Sequence, residues 1–431
     1  MNKKTENKAV SPWQWVPSLY FAQGIPYVVV MSVAVILFKR MGMSNTDIAL
    51  YTSGLNLPWV IKPLWSPLVD LLKTKRWWIV VMQILVGAGL AGIALTIQGP
   101  LAFRYCLAFM WLLAFSSATH DIAADGFYML GLNEKKQAYF VGIRNTFYRF
   151  AVIFGQGILV MFAGWLEQRY AREMPETAAI PQAWSLTFYL LTILFALLFV
   201  YHYLFLPHPR RDTCTLPPQQ ASAGRVFKEF LGTFTSFFQK KHIVSALIFI
   251  LLYRFAEAQL VKITSPFLLD TPATGGLALS TAEVGFIYGT IGVIALTIGG
   301  IVGGIAMARR GLKSCLWTMT IAMNLPNIVY LYLSFARPES IGIISGCVAI
   351  EQFGYGFGFT SLTYFMMLFS NGKHQTAHYA ICTGFMALGL MLPGMISGWI
   401  EESIGYRAFF VWIMLCTIPS FWATHLVRKN L

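Results

Sequence analysis

The sequence predicts an all-α integral membrane protein in which twelve transmembrane helices form two six-helix halves. Hydrophobic residues make up 57% of the 431-residue chain and charged residues only 12%, well below the charged share of a soluble domain. The mean hydropathy is +0.61. Apolar stretches of about 20 residues or more, which suffice for a helix to cross about 30 Å of hydrocarbon, alternate with short polar segments. Together these observations favour a membrane protein over a soluble one.

The apolar stretches between polar breaks define the twelve predicted spans. Spans 4 and 10 exceed the length that a bilayer requires, so we expect them to tilt or to project beyond it. The spans cover residues 13–38, 47–72, 77–98, 101–131, 138–165, 183–206, 242–269, 283–308, 314–335, 340–370, 374–399 and 406–427.

Basic residues predict the orientation of these spans. Most of those outside the spans, such as Lys135 and Lys136, fall in loops on one side, whereas few, such as Lys39 and Arg40, fall on the other. Because basic loops stay in the cytoplasm, both termini are predicted to be cytoplasmic. The basic amino terminus precedes a long span without an evident cleavage site, so we interpret it as a retained first helix and not as a signal peptide.

A long polar break divides the spans into six and six. It predicts an amino-terminal half at 1–206, a cytoplasmic linker at 207–241 and a carboxy-terminal half at 242–431. Aligning Lys75 with Lys313 also aligns Gln137 with Gln375, which suggests an ancient duplication. Apolar residues of the linker recur at helical spacing and predict an amphipathic helix on the inner leaflet. They are Val226, Phe227, Phe230, Leu231, Phe234, Phe237 and Phe238.

Several function classes are disfavoured. The six cysteines form no CxxC pair, so neither a disulfide framework nor a metal site is predicted. The net charge of +14 reflects cytoplasmic loops more simply than nucleic-acid binding. No phosphate-binding Gly-Lys loop is present, so transport would use a gradient and no bound nucleotide or other cofactor.

The loop between spans 2 and 3 resembles the Gly-x-x-x-Asp-Arg-x-x-Gly-Arg-Arg signature of the major facilitator superfamily. The match is partial, because Ser66 replaces the first Gly and Leu71 replaces the Arg. The resemblance implies a conformational latch that holds helix ends together in one state. An ordinary basic topology loop with one acid is the alternative. The latch residues would be Asp70, Lys73, Lys75 and Arg76.

Residues 18–165 resemble more closely the branch of this superfamily that contains the muropeptide permease AmpG and the acetyl-CoA transporters. His120 replaces the usual Gln, and Gly126–Tyr128 replaces Ala-Trp-Lys. These departures put the substrate in doubt and leave the fold unaffected. The matches are Lys62, Leu64, Trp65, Ser66, Pro67, Leu68, Asp70, Ser117, Ala118, Asp121, Ile122, Asp125, Tyr148 and Arg149.

Charged residues inside the spans are the candidates for transport chemistry. With 1.5 Å of rise per residue, Lys62, Asp121 and Arg149 lie about 15 Å deep, and Asp125 and Arg144 about 10 Å deep. The two aspartates are one turn apart and share a helix face. Because isolated charges are costly in hydrocarbon, we expect the acids to pair with the bases. The network would either take up protons during transport or serve as a static packing element.

The second half carries its own charged groups. Arg254 and Glu257 lie three residues apart on span 7 and could pair with each other. Span 7 usually lines the cavity in the superfamily that the chain resembles, which makes Glu257 a candidate for proton coupling and Arg254, like Gln352, a candidate for the substrate cavity. Glu351, next to Gln352 near the middle of span 10, has no basic neighbour in sequence. It is the best candidate for a carboxyl that alternates between protonated and ionised states. The alternative is a permanently protonated acid held by hydrogen bonds. Lys262 also falls inside span 7.

Polar and aromatic residues of the first two spans could contact a polar ligand. These are Tyr20, Gln23, Tyr27 and Asn56. His120 could relay protons or contact the substrate, because its ordinary pKa is near neutrality. Its alternative role is packing at a helix interface.

The resemblance therefore implies a secondary transporter, not an enzyme, in a bacterial inner membrane, with a small-molecule solute, protons and the lipid bilayer as partners. It implies import of an amino-sugar or muropeptide-type solute by proton symport with alternating access, by a protein that we expect to be monomeric. The alternatives are an acetyl-CoA or other anionic cargo, or a membrane-embedded enzyme or receptor.

Overall fold

The computed structural model describes residues 11–209, 212, 231–232, 234–371 and 375–430. Within the helices it leaves out the side chains of residues 67, 68, 70–72, 134, 135, 137–139, 141, 142, 375–377 and 430. The regular structure of the described residues is entirely helical. The backbone of such helices satisfies its own hydrogen bonds, as hydrocarbon requires.

The described residues contain sixteen helices, numbered here in chain order. Residues 11–209, the amino-terminal segment, contain α1 (Pro12–Arg40), α2 (Asn45–Gly54), α3 (Leu57–Leu72), α4 (Lys75–Thr96), α5 (Ala102–Gly131), α6 (Glu134–Val152), α7 (Val160–Tyr170) and α8 (Glu176–Phe205). The described part of 231–430, the carboxy-terminal segment, contains α9 (Ile243–Leu252), α10 (Phe255–Leu269), α11 (Thr281–Arg310), α12 (Leu312–Asn324), α13 (Ile328–Ala336), α14 (Ile341–Phe369), α15 (Gln375–Leu415) and α16 (Ile418–Asn430).

The helices confirm a membrane-spanning all-α fold. Nine stretches of the described residues are long and apolar enough to cross a membrane. The longest, His378–Lys429, contains Gly405 at φ +78°, where the sequence predicts the boundary between spans 11 and 12. The count of twelve spans and the division into two halves stay predictions.

Two predicted spans are interrupted near their middle by a pair of non-helical residues. Span 2 consists of α2 and α3, separated at Leu55 and Asn56, and span 7 consists of α9 and α10, separated at Tyr253 and Arg254. The sequence analysis treated each as one continuous helix. Breaks of this kind free backbone groups and place side chains where a membrane protein lines a cavity.

The two segments pack together where π-helical turns meet. Ile153–Leu159, between α6 and α7, contacts Gly285–Gly292, within α11. A Cβ on Gly289 would overlap the backbone oxygen of Gln156. Glycine therefore permits the backbones of the two segments to come into direct contact at this crossing.

Polar contacts between the segments concentrate at one end of the bundle, which we call the closed end. Lys39 forms an ion pair with Asp270 at 2.7 Å. Asn45 donates hydrogen bonds to Glu401 at 2.7 Å and to the Tyr406 hydroxyl at 2.8 Å. Tyr406 in turn donates to Asp270 at 2.5 Å. These groups join the start of α2 to α10 and α15, and so seal that end of the interface.

The end of the predicted amphipathic linker helix packs on protein. Phe237 is fully buried against Phe369, His378 and Phe385, whereas Phe238 is about half exposed. At Phe237 the chain therefore faces the carboxy-terminal segment and not lipid. Val226, Phe227 and Phe230 lie outside the described residues.

Candidate functional site

A cavity of about 220 Å³ lies between the two segments. Its wall combines aromatic, amide and charged side chains, which is typical of a site for a polar organic ligand. Six of its residues were predicted from the sequence as site residues, namely Gln23, Tyr27, Asn56, Lys62, Asp121 and Arg254. The others are Trp59, Ser117, Tyr148, Thr383, Met386, Ala387 and Leu390.

Asp121 is the centre of the charged wall of this cavity. It forms an ion pair with Lys62 of α3 and accepts a hydrogen bond from the amide of Gln23 of α1. Both side chains of the ion pair are 22% exposed. Three helices of the amino-terminal segment are thereby joined at one carboxylate, and the pair faces the space that a ligand would enter.

Asp125, one helical turn away, belongs to a separate group behind the cavity wall. It accepts a hydrogen bond from Tyr20 at 3.0 Å and pairs with Arg144 of α6 at 3.3 Å. The Arg144 guanidinium lies over the rings of Tyr20 and Tyr128, at 4.6 and 5.2 Å from their centroids. Tyr20 was predicted to contact the ligand, but it does not line the cavity. Its ring packs against the ion pair instead.

Arg149 was predicted to pair with an aspartate of α5. Among the described residues it forms no ion pair with Asp121 or Asp125. Its neighbour in sequence, Tyr148, lines the cavity. Adjacent helix residues point about 100° apart, so the depth estimate alone did not fix which of the two faces the site.

Aromatic residues also line the cavity. The rings of Tyr27 and Trp59 meet edge to face with centroids 5.3 Å apart, and Tyr148 lies 6.4 Å from Tyr27. The sequence analysis overlooked Trp59 and Tyr148 as site residues. Helical spacing could have found both, because Trp59 precedes Lys62 by three residues and Tyr148 follows Arg144 by four.

The two helix breaks place Asn56 and Arg254 in the cavity wall. Arg254 lies before the first residue of α10, outside the helix that carries Glu257. It donates a hydrogen bond to the Tyr355 hydroxyl at 2.5 Å, and its guanidinium lies about 5 Å from the rings of Tyr355 and Phe359. It does not pair with Glu257 among the described residues. The two residues lie near enough to interact electrostatically, but the break at Tyr253 and Arg254 removes the helical geometry that would bring them into an ion pair.

Two buried acids of the carboxy-terminal segment lie close enough to interact electrostatically. They are Glu257 of α10 and Glu351 of α14. Glu351 Oε2 accepts hydrogen bonds from Tyr330 at 3.1 Å and from Gln352 at 2.9 Å. Glu351 Oε1 and Glu257 Oε2 are buried and have no hydrogen-bond partner among the described residues. Neither acid nor Gln352 lines the cavity.

His120 was predicted to line the cavity or to relay protons, and the structure places it elsewhere. It is buried, with Nε2 at 3.1 Å from the Gln83 amide nitrogen. Gln83 also contacts His202, whose Nε2 lies 3.0 Å from the Ser18 hydroxyl. This chain of neutral polar groups joins α1, α4, α5 and α8 on the face of α5 that points away from the cavity.

The predicted latch region contacts the start of the linker. The Asp212 carboxylate accepts hydrogen bonds from the backbone amides of Lys75 at 2.7 Å and Arg76 at 3.1 Å, the first residues of α4. An acid at a helix amino terminus is favourable because the free amides there carry partial positive charge. Lys73 lies 6.0 Å from the ring centroid of Trp77. The side chain of Asp70 lies outside the described residues, so the latch remains a prediction.

Comparison with known proteins gives the context for this geometry. Residues 18–374 match the Major Facilitator Superfamily. The anhydromuropeptide permease of Escherichia coli strain K12 is 24% identical, over 96% of this chain and 79% of the permease. A Rickettsia conorii protein named as an AmpG 4 transporter is 25% identical, over 93% of each chain.

Solved structures share the fold at low sequence identity. A D-xylose–proton symporter superposes with a TM-score of 0.71 at 12% identity, over 96% of both chains. The nucleoside transporter NupG superposes with a TM-score of 0.69 at 14% identity, over 96% of this chain and 98% of that one.

Proposed function

Because this chain belongs to the Major Facilitator Superfamily, we propose that it imports an amino-sugar or muropeptide-type solute by proton symport. It is a multi-pass membrane transporter and not an enzyme. The observation that carries the proposal is the cavity between the two segments, whose lining combines the Lys62–Asp121 ion pair with the aromatic rings of Tyr27 and Trp59. The name of the Escherichia coli permease supports the cargo class.

The cavity wall suits a sugar-containing ligand. The amides of Gln23 and Asn56 can donate to and accept from hydroxyl and acetamido groups. Tyr27, Trp59 and Tyr148 offer apolar ring surface for the carbon faces of a sugar. A small set of polar groups among larger apolar ones gives both orientation and affinity.

The carboxyls of Glu257 and Glu351 are the proposed proton carriers. An ionised carboxylate without a cation is costly in a low-dielectric interior, whereas a proton removes the cost. Each of these acids keeps one buried oxygen without a partner among the described residues. The aspartates of α5 are each paired with a cation, so we assign them the task of holding the cavity wall in place.

The closed end supports an inward-facing state. The ion pair of Lys39 and Asp270 lies in loops that the distribution of basic residues predicts to be periplasmic. In the proposed cycle these contacts break when the cavity opens outward. A Ser53→Cys variant in right-side-out vesicles should react slowly with a membrane-impermeant maleimide, and adding Asp270→Asn should accelerate labelling. Equal rates would contradict this orientation.

Uptake by proteoliposomes tests the function directly. Labelled anhydromuropeptide should accumulate when the outside is acidic, and an uncoupler should abolish accumulation. Uptake that is independent of the pH gradient would contradict symport, and an absence of uptake would contradict the cargo.

We further propose that the protein lies in the bacterial inner membrane as a monomer, with both termini in the cytoplasm. An anionic cargo such as acetyl-CoA is the second candidate, because Arg254 lines the cavity without a carboxylate partner among the described residues. Labelled acetyl-CoA in the same assay distinguishes the two.

A further inference from the structure

Lys262 of α10 is a buried cation that the proposed mechanism does not use. Lys262 is only 2% exposed. No charged group among the described residues lies near enough to interact with it, and no described residue forms a hydrogen bond or ion pair with its ammonium. A buried charge without a partner is costly, and within membranes such groups commonly serve function.

A second unsatisfied group lies beside it. The Ser53 hydroxyl of α2 is fully buried and has no hydrogen-bond partner among the described residues. Gly394 of α15 lies against both residues, because a Cβ there would be 2.6 Å from Ser53 Oγ and 3.5 Å from Lys262 Cγ. Helices of both segments therefore bring the Ser53 hydroxyl and the aliphatic part of the Lys262 side chain against the same glycine.

This point lies between the cavity and the closed end. On α2, Ser53 precedes the cavity residue Asn56 by one turn, and on α15, Gly394 follows the cavity residue Leu390 by one turn. Asn45, two turns before Ser53 on α2, belongs to the closed end. Any solute that passes between cavity and closed end when α2 and α15 separate must therefore pass Lys262.

We propose that Lys262 and Ser53 form an anion subsite that binds a carboxylate of the transported solute. The inference rests on the proposed import function and deepens it, because it restricts the cargo to solutes that carry a carboxylate. The ammonium and the hydroxyl supply two kinds of donor, which matches the two acceptor oxygens of a carboxylate. A single cation also balances a single negative charge. The partners that the ammonium lacks in this state are supplied by the solute during passage.

Transport of matched cargos tests the subsite. Uptake by proteoliposomes is measured with two labelled compounds. One is anhydromuropeptide, and the other is the same compound with its peptide carboxyls converted to primary amides. In the wild type we expect the KM of the amide to be about tenfold higher, since a hydrogen bond to a charged group is worth about that ratio or more. Lys262→Met should abolish the difference, Lys262→Arg should retain it, and the exposed-site control Lys241→Met should match the wild type.

The outcomes separate this inference from the proposed function. Equal KM values in the wild type, or a preference that survives in Lys262→Met, would overturn the subsite. If the wild type transports neither cargo, the proposed function fails, and a binding measurement decides the subsite. Acetyl-alanyl-alanine should then raise the Tm of the purified wild type more than its amide does, and Lys262→Met should lose that difference. A wild type that responds equally to both compounds overturns the subsite.

The Tm of the variant without ligand distinguishes a structural role. If Lys262 had such a role, Lys262→Met would be less stable than the wild type, whereas removal of an unpartnered charge should raise the Tm.

Discussion

The two segments handle buried charge in opposite ways. In the amino-terminal segment each acid of α5 has a cation, because Asp121 pairs with Lys62 and Asp125 pairs with Arg144. In the carboxy-terminal segment, Glu257 and Glu351 form no ion pair among the described residues, although Arg254 lies near enough to Glu257 to interact with it electrostatically. Arg254 itself is hydrogen-bonded to Tyr355 and packed on aromatic rings.

The difference separates two tasks that one transporter must perform. A paired charge keeps its state while the environment changes, so it can hold a binding wall in shape. An unpaired acid responds to its environment, so it can gain or lose a proton as the segments move. The comparison assigns the first task to α3, α5 and α6, and the second to α10 and α14.

The largest effect is expected for Asp121→Asn. This change leaves the ammonium of Lys62, whose side chain is only 22% exposed, without its partner, which should destabilise the protein by about 1–3 kcal/mol. The Tm of the purified protein in detergent would fall clearly, and uptake would be lost. The double variant Lys62→Gln with Asp121→Asn should recover most of the Tm but not uptake.

The matched control is an exposed ion pair. Arg169 and Glu173 are 52% and 56% exposed, so Glu173→Gln should change stability by less than about 1 kcal/mol. If Asp121→Asn is no worse than Glu173→Gln, the paired network does not stabilise the amino-terminal segment.

Glu351→Gln should separate coupling from stability. The amide can still accept the hydrogen bond of Tyr330, so the change in stability should stay within about 1 kcal/mol. It cannot take up a proton, so accumulation driven by a pH gradient should disappear while exchange of labelled for unlabelled solute continues. The exposed-acid control Glu339→Gln should behave as the wild type. Equal loss of exchange and accumulation would show that Glu351 is needed for more than coupling.

Replacing one arginine in each segment sharpens the comparison. Arg254→Met removes a hydrogen bond and contacts with two rings, which should cost about 1–2 kcal/mol. Arg144→Met also leaves Asp125 without its cation and should lower the Tm further. If Arg254→Met lowers the Tm more than Arg144→Met does, then Arg254 neutralises an acid of the carboxy-terminal segment.

The smallest effect is expected for His120→Gln. This residue belongs to a neutral polar chain and not to the cavity, so the loss should be about 1 kcal/mol or less. The KM of the transported solute should not change. A tenfold change in the KM of the transported solute would show that His120 contributes to solute binding.

The sequence by itself determined the membrane class, the superfamily and the identity of most charged residues of interest. Hydropathy and charge predict the membrane class and these residues, because hydrocarbon penalises charge so strongly that an acid or base retained in a span is easily recognised. The superfamily follows instead from the resemblance of the motifs. Helical periodicity also placed Asp121 and Asp125 on one face of α5. Of the residues predicted to contact a polar ligand, Gln23, Tyr27 and Asn56 line the cavity and Tyr20 does not.

Only the tertiary structure decided which charges meet. Depth estimates placed Arg149 and Lys62 at the same level, yet only Lys62 pairs with Asp121, because rotation about the helix axis decides which side chain reaches a partner. The break before α10 separated Arg254 from Glu257, and packing between distant helices brought Ser53 of α2 to Lys262 of α10. Pairing inside a bundle depends on contacts between residues far apart in sequence, so a pattern along one chain cannot fix it.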